Sequence, residues 1–424
     1  MPAAVPASQP SAASEAQRVR FVAWLSLPQL ISWGSVFYGF ALLMEPLERD
    51  LGMGRAESSL AFSLALLVEG LMAWPVGRWI DRGLERRVMA GGSLLLAAGL
   101  LLHSQVNSLA GFYAVWALLG AGMACALYMP SFAVVTRRYP HDFRRAIITL
   151  TFLGGLASTV FIPLTDWLIN HQGWRQAVVW LGGLQLLVCL PLHLHLLRDA
   201  PPPAPAPRGP RPAGPAAVST GEGVAQLMRR PTFWLVACFS VLLMSVTTAV
   251  PAHMVPLLRE SGLSPAWVVA LPASMGVVQV LGRLLLFFFE KHFDVHLANR
   301  LIPCLIPLGL VILLLGHGMT AMAWLFAALY GLGNGMLTIV KGTAIAQYVS
   351  REHAATLNGA LGVPSALARA SAPLLLGLMW QADTGYRNGL LCLLAVAVIA
   401  VLALVQAQRL HLRANAAQPG PAGA

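Results

Sequence analysis

Apolar residues in this chain arrive in blocks of about 20, separated by short polar segments. A helix of ~20 residues crosses the ~30 Å hydrocarbon core of a bilayer, so the blocks predict transmembrane helices. The predicted spans are 21–44, 58–80, 88–106, 109–135, 147–169, 176–197, 232–255, 266–289, 297–317, 321–348, 355–381 and 388–408. The pattern therefore predicts an all-α membrane protein with twelve transmembrane helices in two six-helix halves.

A segment rich in proline and alanine separates the two sets of blocks. Such a segment cannot bury a core, so residues 198–230 are predicted to form an extended linker. This divides the chain into an N-terminal half, 18–197, and a C-terminal half, 231–410. The ends, residues 1–17 and 411–424, are predicted to be disordered tails. Similar glycine-rich stretches at 118–122 and 329–333 indicate a repeat of the two halves, which is a common feature of transporters.

Composition excludes a water-soluble globule. Hydrophobic residues make up 57% of the chain and charged residues only 11%, against about 25% charged residues in a typical soluble domain. The net charge of +11 is compatible with nucleic-acid binding. The basic residues stand mainly in short loops on one side of the predicted spans, however, which indicates membrane orientation instead. By the positive-inside rule, both termini and the linker are cytoplasmic, and no nucleic-acid partner is expected.

Metal and cofactor signals are absent from the sequence. The five cysteines all lie inside apolar blocks, and none forms a C-x-x-C pair, so they are interpreted as small buried apolar residues. There is no G-x-x-x-x-G-K-[ST] phosphate loop, which excludes nucleotide hydrolysis by that motif. We expect neither a metal nor a cofactor.

A charged motif stands between the second and third spans. Its sequence, GRWIDRGLERR at 77–87, resembles the G-x-x-x-D-R-x-G-x-R-R loop of the major facilitator superfamily. The resemblance implies the major facilitator fold and a gating loop formed by Gly77, Asp81, Arg82, Gly83, Arg86 and Arg87. Glycines permit close helix contact and tight turns, and a carboxylate accepts hydrogen bonds from a neighbouring helix end or arginine. The alternative is an ordinary basic loop with a turn glycine.

Three further stretches are similar to bacterial relatives of the monocarboxylate and oxalate/formate transporters: 38–47, 173–175 and 341–343. This resemblance implies a secondary active transporter (a symporter if proton-coupled) for a small organic anion in the bacterial cytoplasmic membrane. Trp116 stands where drug/proton antiporters have an arginine, which makes a multidrug pump a less favoured interpretation. The chain departs from the monocarboxylate pattern at two places, with Gln279 where these transporters usually have an aspartate and Tyr38 near the position of their lysine.

Four ionisable residues lie deep in predicted spans: Arg369, Arg283, Lys341 and Glu69. Each costs roughly 2.5–3.5 kcal/mol on insertion scales, so such residues face a cavity or a partner. Helical spacing puts Asn358 on the face of Arg369, Gln279 on that of Arg283, and Asn334 on that of Lys341. Three cations against one carboxylate predict a positive cavity that binds carboxylates. The alternative is that the cations are structural, with Lys341 reaching toward the interface.

Other side chains complete the predicted site. Tyr38 and Tyr128 are expected to line the cavity. Glu69 is interpreted either as a proton carrier or as one member of a static ion pair. His253 lies between Pro251 and Pro256, where the helix should break, and is either a titrating group or a helix-end residue.

Three other functions are alternatives to carboxylate transport. A membrane enzyme needs a convergent site such as H-E-x-x-H, whereas the histidines here are scattered. A membrane sensor with the transporter fold would normally have an added soluble domain. An exporter of drugs or inorganic anions is the main alternative within transport. The expected partners are the lipid bilayer and a small anionic substrate, and the protein is predicted to be monomeric.

Overall fold

The structure, a computed structural model, describes residues 12–139, 143–199, 223–289, 294–350 and 353–416. The only β pairing among these residues is an isolated bridge between Gln381 and Gly385. The first half contains α1 (Ala12–Ser32), α2 (Gly39–Leu51), α3 (Arg55–Asp81), α4 (Glu85–His103), α5 (Leu109–Ala126), α6 (Tyr128–Arg138), α7 (Phe143–Gly155), α8 (Ala157–Leu184) and α9 (Leu190–Leu196). The second half contains α10 (Val224–Arg229), α11 (Pro231–Ala252), α12 (Met254–Glu260), α13 (Pro265–Phe289), α14 (Val295–Leu315), α15 (Thr320–Tyr348), α16 (Ala354–Ala360), α17 (Gly362–Leu378) and α18 (Arg387–Ala416).

These helices form twelve passes. By length and composition, nine helical stretches among the described residues qualify as membrane spans. One of them, Arg145–Leu196, contains two passes, because Gly173 has a φ of 79° and ends the first pass inside α8. Helix α4 and the consecutive helices α16 and α17 provide the remaining two passes. The predicted all-α fold with twelve helices in two six-helix halves is confirmed.

The ends of the halves differ from the prediction. Helix α1 begins at Ala12, where an ion pair of 3.3 Å between Glu15 and Arg18 bridges neighbouring turns. Helix α18 continues to Ala416, because residues 411–416 include good helix formers. Helix thus covers 12–17 and 411–416 of the predicted tails, while 1–11 and 417–424 lie outside the described residues. Most of the predicted linker, 200–222, also lies outside them, and α10 occupies its end.

Two predicted spans are interrupted. The span 109–135 breaks at Leu127, whose ψ of −159° is extended, and Pro130 then stands in the first turn of α6. The span 355–381 breaks at Leu361, whose amide bonds to the carbonyl of Asn358 three residues back. The predicted break at His253 is confirmed, since this residue separates α11 from α12.

Two passes contain π-helical turns that the sequence pattern did not predict, at Trp33–Tyr38 and Gln185–Cys189. In the first turn the amide of Gly39 donates to the carbonyl of Gly34, a bond across five residues. Such turns often occur at functional sites. The first of them presents Phe37 and Tyr38, which enter the site described below.

The glycine-rich stretches occupy matching positions in the two halves. In α5, a Cβ added at Gly120 would lie 2.3 Å from the Ala65 carbonyl of α3, and one at Gly122 2.7 Å from Leu96 of α4. In α15, Gly331 faces Val278 of α13 and Gly333 faces Leu305 of α14 in the same way, at 3.1 and 2.9 Å. The fourth pass of each half thus packs its glycines against the second and third passes, which supports the predicted repeat.

Both ends of the described chain and the loop after α3 lie on one side of the bundle, called here the tail side. The loops after α2, α4, α12, α14 and α17 lie on the opposite side. The halves meet along two helix pairs, α3 with α17 and α8 with α13. In the second pair Thr159 donates a 2.7 Å hydrogen bond to the carbonyl of Ala273.

The contact between α3 and α17 ends part-way along the helices. Near the opposite side, the amide of Leu374 donates to the Ser63 hydroxyl at 3.0 Å, and Gly70 is packed against Ala366. One turn closer to the tail side, Trp74 is 69% exposed and Val363 is 71% exposed. These residues would face each other if the helices stayed together. The halves therefore separate on the tail side and close on the opposite side.

Candidate functional site

Arg369 and Glu69 form an ion pair between the two halves. The Nη1 atom of Arg369, on α17, lies 3.0 Å from the Glu69 carboxylate on α3, and the two side chains are 23% and 11% exposed. The Arg369 guanidinium also lies 5.9 Å from the centre of the Phe37 ring. Its Nη2 atom is buried without a hydrogen-bond partner among the described residues. Since buried donors are normally satisfied, this atom is a candidate for contact with a ligand.

Arg283 also reaches across the interface. From α13 its Nη1 donates to the carbonyl of Thr151 on α7 at 2.8 Å, and its Nε to the carbonyl of Gly335 on α15 at 3.4 Å. No carboxylate pairs with it in the described part of the chain. Neutral carbonyls satisfy the donors but leave the positive charge in place.

Tyr38 and Tyr128 lie near Arg283. Both tyrosines lie close enough to this arginine to be affected by its charge, and Tyr38 lies close to Gln279. Tyr38 and Gln279 line a narrow cavity between the halves, together with Ser158 and Tyr330. The structure thus brings four of the predicted residues into one group: Tyr38, Tyr128, Gln279 and Arg283.

Lys341 also lies near Arg369. It interacts electrostatically with Arg369, while its Nζ lies 4.0 Å from the sulfur of Met244. Asn334 is half-buried on α15, and its side chain has no hydrogen bond to any of the residues that the structure describes. Asn358 is exposed in α16, and the break at Leu361 separates it from Arg369. The prediction that Asn358 continues the Arg369 face overlooked this break.

The ionisable side chains at the centre of the interface between the two halves are mostly positive. Arg369, Arg283 and Lys341 are three cations, and Glu69 is the one carboxylate that the described residues place beside them. With Glu69 ionised, this arrangement leaves an excess positive charge in a poorly hydrated region, where electrostatic interactions are stronger than in water.

His253 lies elsewhere, on the opposite side. It is fully buried, with Nδ1 2.8 Å from the Tyr386 hydroxyl and Nε2 2.9 Å from the Pro373 carbonyl. A neutral ring with its proton on Nε2 satisfies both partners, since the carbonyl only accepts and the hydroxyl can donate. The structure does not bring His253 to Glu69.

His253 belongs to a group that we call the opposite-side cluster: Glu48, Arg55, His253, Glu260, Trp380 and Tyr386. Arg55 lies 3.1 Å from Glu48 and 3.7 Å from Glu260, and its guanidinium stacks over Trp380 at 5.2 Å. Of these residues, only His253 was predicted from the sequence. The charged stretch around 45–57 was a signal that it did not use.

The loop after α3 was predicted to be a gating loop. Gly83 has a φ of 83° and forms the tight turn, although it stands one position before the glycine of the family pattern. A Cβ at Gly77 would meet nothing within 4 Å, so the expected close helix contact there is absent. The reason is the separation of α3 from α17 on the tail side.

The other loop residues are mostly solvent-exposed. Asp81, Arg82 and Arg87 are exposed, and Arg86 donates from Nε to the carbonyl of Leu194 at 3.0 Å. The buried anchor of the loop is Glu85, whose carboxylate accepts a 2.7 Å hydrogen bond from Arg138. Glu85 occupies a variable position of the motif, so the sequence pattern did not single it out.

The comparison with family models decides the family. The model of the Major Facilitator Superfamily matches residues 29–296. The chain belongs to this superfamily. It is therefore a multi-pass membrane transporter and not an enzyme.

Individual relatives agree with this. The chain is 31% identical to monocarboxylate transporter 13 of Bos taurus over 216 residues, which is 49% of this chain and 47% of that protein. It is 27% identical to the oxalate:formate antiporter of Oxalobacter formigenes, over 54% of this chain and 53% of that protein. The chain thus matches about half the length of these relatives.

The fold agrees with a solved transporter structure. A bacterial homologue of the human lysosomal transporter Spinster, crystallised in an inward-facing and occupied conformation, superposes with a TM-score of 0.69. The superposition covers 96% of this chain and 99% of that one, at 17% identity. At this identity the likeness concerns the fold alone.

Proposed function

We propose that this protein is a secondary active transporter that moves a small organic carboxylate across the membrane by alternating access. The observation that carries the proposal is the Arg369–Glu69 pair between the halves, with a buried guanidinium nitrogen that lacks a partner. The relatives named for monocarboxylates and for oxalate and formate support an anionic substrate.

The charge of the centre favours a carboxylate. A guanidinium binds a carboxylate through two parallel hydrogen bonds. Arg369 uses Nη1 for Glu69 and has Nη2 left over, so a substrate carboxylate can occupy the second position or displace Glu69. Arg283 and Lys341 add attraction at longer range, and Tyr38, Tyr128, Gln279 and Asn334 supply polar groups around them. Asn358 is exposed on α16, beyond the break at Leu361, and is given no role in this proposal.

Glu69 is the proposed proton carrier. If a proton neutralises Glu69, Arg369 loses its counter-charge and is free to bind the substrate anion. One proton and one anion would then enter the site together, so the net charge of the site would stay the same. His253 is not proposed for this step, because both of its ring nitrogens already have partners on the opposite side.

The membrane orientation follows from the charge distribution. Most loop arginines stand on the tail side, including Arg82, Arg86, Arg137 and Arg138. By the positive-inside rule we propose that the tail side is cytoplasmic, in a bacterial inner membrane. The separation of the halves on that side then corresponds to an inward-facing state, with the loop at 77–87 released from α17. A single chain holds the whole site, so a monomer suffices.

The test is transport by purified protein in liposomes. Radiolabelled carboxylates, sulfate and a cationic dye are offered separately, with and without an imposed proton gradient. We expect saturable uptake of a carboxylate, and we expect Arg369→Ala to abolish it while the melting curve in detergent stays cooperative. Arg409→Ala is the matched control, since Arg409 is an exposed arginine on the tail side.

Two outcomes would contradict the proposal. One is carboxylate uptake in Arg369→Ala at the wild-type rate, which would remove this arginine from the site. The other is transport of sulfate or of the dye without any carboxylate, which would favour the exporter of inorganic anions or drugs.

A further inference from the structure

Five aromatic rings form a continuous row along the first half. Phe132 stacks on Tyr128 at 5.4 Å, and Tyr128 contacts Trp33 at 4.9 Å. Trp33 contacts Phe37 at 5.0 Å, and Phe37 contacts Tyr38 at 5.5 Å. The rings come from α6 and from the π-helical turn Trp33–Tyr38, and we call them the aromatic row.

The row faces the cations of the second half at two places. Phe37 lies under the Arg369 guanidinium at 5.9 Å. Tyr38 and Tyr128 both interact electrostatically with Arg283. The row therefore runs along the interface between the halves, from the proposed anion site at Arg369 toward the tail side, where α6 ends.

The exposure of the row distinguishes it from a packing cluster. Trp33, Tyr38, Tyr128 and Phe132 are only half-buried. A second group of touching rings in the same half, Phe40, Phe62, Phe112 and Trp116, is at most 1% exposed. Rings that only fill a core are almost fully buried, like the rings of this second group. Phe37 is the exception, since it is 7% exposed and contacts Phe62 at 5.3 Å, so the row rests on the packed group at this ring while its other four rings keep exposed surface.

Two polar atoms near the row lack partners. Trp33 Nε1 and Arg369 Nη2 are buried, and neither has a hydrogen-bond partner among the described residues. One is an indole donor within the row and the other a guanidinium donor at its end. A ligand with a flat apolar body would pack against the rings, and its acceptor group would accept a hydrogen bond from one of these donors.

We propose that the substrate is an aromatic carboxylate, whose carboxylate binds Arg369 and whose ring packs against the aromatic row. This rests on the proposed carboxylate transport and narrows its substrate class. Aromatic rings prefer offset or edge-to-face contacts, and each such contact corresponds to about a 2- to 10-fold gain in affinity. A small aliphatic acid fits Arg369 but leaves the row without a partner.

The experiment compares acids that differ in the ring. Benzoate, cyclohexanecarboxylate and acetate are each tested for uptake into liposomes and for stabilisation of the purified protein, because a ligand stabilises the state that it binds. We expect a Michaelis constant for benzoate about tenfold below that for cyclohexanecarboxylate, which has similar size and charge but no aromatic ring. Arg369→Ala should abolish uptake of every acid.

Variants of the aromatic row test whether it recognises the ring of the substrate, and uptake of cyclohexanecarboxylate shows that each variant is still folded. Trp33→Leu and Tyr128→Leu should remove most of the preference for benzoate but keep measurable uptake of cyclohexanecarboxylate. Tyr128→Phe, which keeps the ring, should keep the preference. Trp24→Leu is the control, because Trp24 is an exposed tryptophan of α1, the helix that leads into the π-helical turn, and it has no ring contact in the described part of the chain.

Each failure has a distinct meaning. Arg369-dependent uptake of acetate or cyclohexanecarboxylate at least as good as that of benzoate would overturn the aromatic substrate and leave the proposed function standing. A preference for benzoate that survives both leucine variants would also overturn it. If no carboxylate is taken up or binds, both the inference and the proposed function are wrong.

Discussion

Arg55, at the start of α3, donates a 2.8 Å hydrogen bond to the hydroxyl of Tyr386 in the second half. The same guanidinium holds Glu48 of its own half and Glu260 of the other, at 3.1 and 3.7 Å. Nearby, Arg259 pairs with Glu45, again between the halves. The opposite side is therefore held shut by charged and polar contacts, while α3 and α17 separate toward the tail side.

Replacing Arg55 with alanine should open the opposite side. The change removes the bond to Tyr386 and leaves Glu48 and Glu260 as two neighbouring carboxylates without their shared cation. We expect a cost to the closed state of about 1–3 kcal/mol, or roughly a 5- to 150-fold change in the equilibrium. Hydrogen–deuterium exchange of peptides covering 48–62 and 373–386 measures this, and their exchange should accelerate.

The control for this experiment is Arg49→Ala. Arg49 is an exposed arginine on the same side, and it has no ion pair among the described residues. Its removal should leave exchange in both peptides unchanged. Equal exchange in Arg55→Ala and wild type would show that Arg55 does not hold the halves together.

The opposite-side cluster should also respond to pH. Glu260 ends α12, outside the membrane-spanning segments, and burial raises the pKa of its carboxyl above the usual value. The hydrogen bond from Trp380 and the charge of Arg55 reduce this rise without cancelling it, and Glu48 also faces the group. When the side opens and water reaches Glu260, its pKa should return toward the usual value.

The sign of the pH effect follows from this difference. The closed state holds the Glu260 proton more tightly than the open state, so acid favours closure. As pH rises through the raised pKa, the opposite side should exchange faster, after correction for the intrinsic pH dependence of exchange. Glu260→Gln should stay closed across this range, and Asp383→Asn, at an exposed carboxylate on the same side, should behave as wild type. Faster exchange at acid pH would reverse the sign and contradict the prediction.

The fold was largely predictable from the sequence, because apolar blocks of membrane length leave few alternatives to helices. The breaks at Leu127 and Leu361 and the π-helical turn at Trp33–Tyr38 were not. They depend on how a local backbone distortion packs against other passes, which hydrophobicity along the chain does not report. The break at Leu361 stands between Asn358 and Arg369, which the prediction of one continuous helical face did not include.

The site was predictable only in part. Arg369, Arg283 and Glu69 stood out because charged groups deep in the membrane need a partner or water. Which partner they find depends on the helix pairs that join the halves, and a static pair of Glu69 with an arginine was only one of two alternatives, without the arginine being named. The opposite-side cluster was not predicted because its residues stand near predicted loops. Charged residues are common in such loops and do not by themselves indicate a site.

Glu69→Gln should separate transport from its proposed driving force. Glutamine keeps the size of the side chain but cannot carry a charge or exchange a proton near neutral pH. Arg369 then stays free for the substrate, so exchange of substrate across the liposome membrane should continue. An imposed proton gradient, which should accelerate wild-type uptake, should have no effect on this variant.

The matched change for that experiment is Glu57→Gln, because Glu57 is an exposed carboxylate at the start of the same helix. It should keep the response to the proton gradient. If Glu69→Gln also keeps this response, Glu69 is a static partner of Arg369 and the proton is carried elsewhere.

The glycine contacts between passes predict a stability effect. In Gly120→Ala the new methyl would lie 2.3 Å from the Ala65 carbonyl, which is backbone and cannot rotate away. Helices α3 and α5 must then move apart, at a cost of about 1–3 kcal/mol.

Gly91→Ala is the control, because a Cβ there meets nothing within 4 Å and alanine favours a helix by up to about 1 kcal/mol. Thermal unfolding in detergent should show a lower melting temperature for Gly120→Ala and an equal or higher one for Gly91→Ala. Since α3 also holds Glu69 and Arg55, Gly120→Ala should slow transport as well, and equal melting temperatures in the two variants would show that the close contact is not required.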